Sequence, residues 1–307
     1  MIRIKLLLLL ATAILVPELL NSQELEFRES EEGILLMENE YPRFFYQTAT
    51  KSKDGEYPRA NYIHPLYGPN GEVLTEDFPE DHLHHRGIFW SWHQLYVEGK
   101  RIADPWLTEN IHWEVQNIST SINENTAEIK AEVFWIPTST ENAVIKENVS
   151  ITYESLEDGI YTLTFDLKFT ALVDGVAIGG SEDEKGYGGF SPRFALPENV
   201  SFHSTSGKIQ PQNLPVQAGP WMELKGSFDP SEIGQLGIVI MGEPENLPSY
   251  QGWILRSSKS MQNMAFPGKE AIEIKKGKSL NFRNQILVHS GLSTDEIETY
   301  YKEFRNQ

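Results

Sequence analysis

The stretch Tyr161-Thr-Leu-Thr-Phe-Asp-Leu-Lys-Phe-Thr-Ala171 decides the fold. Its apolar residues, Tyr161, Leu163, Phe165, Leu167, Phe169 and Ala171, alternate with Thr162, Thr164, Asp166, Lys168 and Thr170. Successive side chains of a strand point to opposite faces, so a period of two describes a sheet with one apolar and one polar face. The pattern recurs upstream, where Val149, Ile151 and Tyr153 alternate with Ser150 and Thr152, and Ala127, Ile129, Ala131 and Val133 alternate with Glu128, Lys130 and Glu132. Asp158-Gly159 lies between two such runs and is a hairpin signal. Further strands are expected over residues 33–37, 44–48, 62–66, 88–92, 111–115, 237–241 and 280–288. One helix is expected, at the C-terminus: Ser293-Thr294-Asp295-Glu296 matches a capping box, and the helix runs to Phe304. Many strands, short turns and a single helix predict an all-β fold, a large antiparallel β-sandwich. No linker or repeat divides the chain, so residues 23–307 are expected to form one domain.

The N-terminus reads Met-Ile-Arg-Ile-Lys, then an uncharged run over residues 6–16, then residues 17–23. A basic start before an apolar run too short to span a bilayer is a signal-peptide pattern. Residues 1–22 are assigned to it, with cleavage expected near Ser22–Gln23, which predicts a periplasmic or secreted protein with no membrane segment after its removal. The chain contains no cysteine. That excludes disulfides, thiolate metal ligands, a cysteine nucleophile and the acylated cysteine of a bacterial lipoprotein. The formal net charge of −18 excludes a broad polyanion-binding surface, so nucleic acid is not an expected partner. A few local arginines can still hold an anionic sugar, because short-range geometry outweighs net charge.

Three stretches carry candidate chemistry. Residues 81–93 read Asp-His-Leu-His-His-Arg-Gly-Ile-Phe-Trp-Ser-Trp-His. Imidazole titrates near neutrality, which suits His84, His85 and His93 to proton transfer, while Arg86 offers a two-pronged carboxylate grip. If His82 and His84 lay on a strand they would share a face and could chelate a metal. That chelate is the alternative; neither a metal nor a cofactor is the leading expectation. The second stretch, Gly186-Tyr187-Gly188-Gly189-Phe190-Ser191-Pro192-Arg193, closes a glycine-rich segment over residues 174–189 that reads as a loop. Tyr187 is a candidate acid there and Arg193 a second carboxylate clamp. The third, residues 242–253, is a proline-shaped loop holding Asn246 and Trp253, with Trp253 a candidate stacking platform. Trp90, Trp92, Trp106 and Trp221 are further candidate platforms, although a tryptophan more often serves the core.

Together with Tyr62-Ile63-His64-Pro65-Leu66-Tyr67 and Val288-His289-Ser290-Gly291, these stretches resemble the PmoA-like family, bacterial proteins named after methane oxygenase. The Asp-His-x-His-His-Arg-Gly motif at residues 81–87 is the most specific landmark, with Leu83 where the family usually has proline. The methane-oxygenase label is not carried over, since that enzyme is an integral membrane copper protein. The resemblance implies an exported protein among carbohydrate-degrading functions and is compatible with a galactose-mutarotase-like sandwich.

The function expected is a lyase or dehydratase acting on oligosaccharides that contain uronate. Proton abstraction beside a carboxylate needs a base, a cation for the developing enolate and an acid for the leaving oxygen. His84 or His85, Arg86 or Arg193, and Tyr187 are the candidates for those catalytic roles. His64, His82, Trp90, His93, Asn246 and Trp253 are the candidates for binding substrate. The alternatives are a sugar epimerase or mutarotase, pairing a histidine with Glu182, Asp183 or Glu184, a glycoside hydrolase, and a glycan-binding protein without turnover.

Overall fold

The computed structural model describes residues 24–307 apart from 141, 157–158 and 229–234. The expected signal peptide lies outside the described residues, as does Asp158 of the expected hairpin turn. The strands on either side of that turn pair antiparallel from Ser155↔Tyr161 to Ile145↔Ala171.

Two antiparallel sheets form the body. The larger has nine strands, in the order Ile111–Asn123, Thr126–Pro137, Ile145–Ser155, Tyr161–Ala171, Ser279–His289, Leu236–Gly242, Trp221–Gly226, Ser201–Ser204 and Gly207–Ile209. The smaller has six: Leu25–Glu29, Gly33–Glu38, Tyr41–Gln47, Tyr62–Leu66, Ile88–Trp92 and Gly188–Pro192. A four-stranded sheet joins Ile272–Ile274, Val176–Gly179, Gln94–Val97 and Lys100–Ala103. The alternation read from the sequence is the burial observed. Ile129, Ala131 and Val133 are buried while Lys130 is exposed, and Leu167 and Phe169 are buried while Asp166 and Lys168 are exposed.

The apolar faces of the two main sheets meet in one core. Trp90 contacts Phe165 with ring centroids 5.7 Å apart, Trp92 contacts Phe169 at 5.0 Å, and Phe190 contacts Phe165 at 5.1 Å. Offset and edge-to-face aromatic pairs add about 0.5–1.5 kcal/mol each beyond their burial. The core also encloses the Glu147 carboxylate. It accepts hydrogen bonds from the indoles of Trp90 (2.5 Å) and Trp135 (2.8 Å) and from Asn61 (3.0 Å). Burial raises its pKa to about 7 against the downward pull of those three donors.

The helix Thr294–Asn306 follows a capping box in which Ser293 and Glu296 satisfy each other's backbone N–H groups. Its buried residues Ile297, Tyr301 and Phe304 cover Trp221, Val239, Met241 and Leu287 on the outer face of the nine-stranded sheet. Among the described residues, no helix is long and apolar enough to cross a membrane.

The segment expected as one loop over residues 174–189 is instead interrupted by two strands. Val176–Gly179 enters the four-stranded sheet, and Gly188–Pro192 forms the edge of the six-stranded sheet against Ile88–Trp92. The second strand is buried on both faces and rich in glycine, so it shows no alternation to read.

Candidate functional site

The pairing of Gly188–Pro192 with Ile88–Trp92 builds the site. It runs from Gly188↔Trp92 to Pro192↔Ile88, and the Arg193 N–H then donates to the Gly87 carbonyl at 2.7 Å. Two stretches a hundred residues apart are thereby fixed side by side. Gly87 is needed for the approach, because a Cβ there would lie 2.0 Å from the Ile63 carbonyl oxygen.

The histidines precede the strand in two consecutive turns, closed by His82 N–H to Pro79 O (3.0 Å) and His85 N–H to His82 O (2.9 Å). This corrects the strand geometry on which a His82/His84 chelate rested. It is His82 and His85 that lie parallel, at 4.7 Å and 4°, with His84 edge-on to His85 at 4.6 Å. Among the described residues, no group of three or more His, Asp or Glu side chains has the geometry to hold a metal ion.

Arg193 locks this cluster from behind. Its buried guanidinium donates to both Asp81 oxygens (2.8 and 3.2 Å), to Glu76 (2.6 Å) and to His85 Nδ1 (3.3 Å). Burial works against an ionised Asp81, but hydrogen bonds from Arg193 and His82 prevail and hold its pKa at about 2. His85 is buried beside His84, His82 and Arg193, and first burial, then coulombic repulsion from those three, lower its pKa to about 2. Burial likewise brings His84 down to about 4, helped by His82 and Arg59. Both imidazoles are therefore neutral at physiological pH, and His85 accepts from Arg193 through Nδ1.

Arg86 is fully buried and not free to clamp a substrate. It donates to the carbonyls of Leu83 (2.9 Å), His85 and Tyr57, faces Asp77 at 3.5 Å, and stacks on Phe78 at 3.4 Å. Arg193 is equally engaged. Both clamps expected from the sequence hold the fold together instead, because a buried guanidinium demands carboxylate and carbonyl partners. His64 belongs to the neighbourhood of Asp77, bonded through Nδ1 to Thr75 Oγ1 at 3.0 Å, and burial lowers its pKa to about 4.

Trp106 connects the histidines to the second stretch. It meets His85 edge-on at 6.0 Å, lies nearly parallel to His93 at 5.1 Å and 20°, and nearly parallel to Tyr187 at 6.1 Å and 22°. His93 Nδ1 lies 3.1 Å from Asp104 Oδ2. Asp104 is itself held by the Leu107 N–H (3.0 Å) and by Arg101 (3.0 Å). Such a carboxylate fixes the Nδ1–H tautomer and turns Nε2 of His93 into a proton acceptor. Beside the Tyr187 hydroxyl lies Arg256, its guanidinium 3.4 Å away and otherwise donating to the carbonyls of Gln212, Asn213 and Leu255. Among the described residues, Arg256 has no carboxylate against it, so its charge is uncompensated.

Sequence reading missed Asp104 and Arg256. Asp104 carries one local signal, the Asp-Pro-Trp sequence of residues 104–106, whereas Arg256 carries none.

Three other expected residues do not join the surface. Trp90 and Trp253 are core residues, their indole N–H groups donating to Glu147 and to the Gly219 carbonyl (2.8 Å), which corrects their assignment as sugar platforms. Asn246 sits in the short 3-10 turn Pro244–Asn246 and lines a different cleft, on the nine-stranded sheet.

A family model described as a family of unknown function, DUF6807, matches residues 34–302. No curated protein matches the chain. The solved structures that are similar include the GalM/aldose epimerase homologue from C. elegans, at 8% identity and a TM-score of 0.33, covering 88% of this chain and 99% of that one. A TM-score this low carries no weight for chemistry, and the sandwich rests on the strand pairing itself. The PmoA-like resemblance stands apart from the family match and adds nothing to it.

Proposed function

This chain belongs to the DUF6807 family, whose function is unknown, and from its site we propose that it is an exported carbohydrate-active enzyme that eliminates across a C–O bond of uronate-containing oligosaccharides. The observation that carries the reading is that His93–Asp104 and Tyr187–Arg256 both lie against the Trp106 ring. Elimination breaks the C–H bond beside the carboxylate and the C–O bond one carbon further on. His93 Nε2 takes the proton, as a base oriented by Asp104. The electron pair enters the carboxylate-stabilised enolate, whose charge Arg256 offsets. The Tyr187 hydroxyl gives its own proton to the departing oxygen as the C=C bond forms, and solvent exchange then returns Tyr187 and His93 to their starting states.

The imidazoles of His82 and His84 line the same surface and suit hydrogen bonding to sugar hydroxyls. His85 and Arg193 are positioning residues that hold those two rings in place. The signal-peptide pattern and the acidic surface fit a periplasmic or secreted protein. Uronate-terminated oligosaccharides should gain ultraviolet absorbance from the new C=C bond. A wild-type protein that gives flat traces across a broad panel rules the reaction out. NMR of the products separates elimination from its rivals, a changed anomer or epimer marking an epimerase and an intact unsaturation-free fragment a hydrolase.

A further inference from the structure

Asn246 lies outside the histidine–aromatic surface, in a cleft of about 840 Å³ that shares none of that surface's residues. Its floor is the outward face of four strands of the nine-stranded sheet, just beyond the part the C-terminal helix covers. Strand register places Glu132, Asn148, Lys168 and Asn281 side by side in one row. The next row is Lys130, Ser150, Asp166 and Arg283. At the strand spacing of about 4.8 Å, each row extends about 14 Å. The turn Pro244–Asn246 borders the cleft and is tied to the helix by Glu245–Arg305 at 2.7 Å.

The state of these side chains matters. In the second row Asp166 and Arg283 pair with each other at 3.0 Å. In the first, Glu132 is taken by Lys146 and Asn117, at 2.9 and 2.6 Å. Lys168 and Asn281 are exposed and, among the described residues, have no side-chain partner. Asn148 donates to Glu132 at 3.4 Å, and Lys130 and Ser150 are held by Glu128 at 2.7 and 2.9 Å. The cleft thus offers two unspent hydrogen-bonding heads one strand apart, Lys168 and Asn281, beside aliphatic surface from Leu247 and Leu280. Its charges alternate in sign along each row, so a polyanion gains nothing net by binding there. Its size falls in the range of ligand sites. A chain of pyranose rings, with apolar C–H faces and hydroxyl edges repeating at about one strand spacing, meets each of these conditions.

We propose that this cleft is a second glycan site, which grips an unreacting, uncharged stretch of the saccharide chain by its hydroxyls. The ligand class rests on the carbohydrate reading given above; the place does not. Calorimetry with cello-, xylo- and manno-hexaose, which carry no uronate, tests it. At least one hexaose should bind wild-type protein, and Lys168→Ala/Asn281→Ala should weaken that binding at least tenfold without lowering the melting temperature. Asn281→Ser, a milder change, should weaken it by a smaller factor. His93→Ala should bind as wild type does. Hexaose binding lost in the double variant leaves the cleft standing even if no elimination is ever detected. Wild type that binds none of the three, or a double variant that binds unchanged, overturns the proposal.

Discussion

Single side chains that look alike in the sequence have different surroundings in the fold. His85 and His93 both lie in the 81–93 stretch, yet one is buried against Arg193 and the other backed by Asp104. His93→Ala should therefore lower turnover by about 10²–10⁴-fold, the usual contribution of a positioned base. His85→Gln should act chiefly on KM, through the His82 and His84 rings it supports; steady-state kinetics on one uronate substrate compares the two. Arg193→Ala removes the buried partner of two half-exposed carboxylates and should cost about 1–3 kcal/mol, read from urea unfolding. An unchanged midpoint there would mean the bracket does not hold the site. The reaction of Tyr187→Phe should fall as well, most steeply for substrates with a poor leaving oxygen.

Strands and turns show where the sequence was legible and where it was not. The strands around residues 127–133, 149–153 and 161–171 could be read because each has one face on the core and one in solvent, so burial is printed as alternation. Gly188–Pro192 is buried on both faces, which erases that alternation, and its partner lies about a hundred residues away. The same strand aligns Arg193 with Gly87, so the long-range pairing that hid the strand also hid the site's geometry. Histidine chemistry was legible as composition; that Arg86 and Arg193 would be consumed by the fold was not, because their carboxylate partners are set by tertiary contact. Gly87→Ala should disrupt the Ile63↔Ile88 pairing, since the new methyl collides with backbone that cannot swing away. Soluble yield and near-ultraviolet dichroism should both fall. Ser293→Ala removes only a cap, at about 1 kcal/mol, and should leave the site intact.

For the whole molecule, stability should depend on pH through groups of opposite sign. The folded pKa of Glu147 is raised to about 7 from an unfolded value near 4.5. Its contribution is full below the unfolded value and is lost as pH rises through about 7, amounting to about 3 kcal/mol at most. His64, His84 and His85 have folded values below the unfolded one, so their contribution is present above about 6.5 and lost as pH falls toward 4 and below. Glu147→Gln should remove the first slope alone: the variant should gain on wild type between pH 5 and 8 when both are unfolded in urea, whereas parallel curves would place the carboxylate's titration elsewhere.

The central claim, proton abstraction by His93 backed by Asp104, is tested most directly by proton–deuterium exchange. With a uronate-terminated oligosaccharide in deuterium oxide, recovered substrate or product is followed by NMR at the carbon beside the carboxylate. The account predicts loss of that proton and appearance of the unsaturated product with wild type, and neither with His93→Ala. Retained proton with wild type, or equal exchange with His93→Ala, contradicts it.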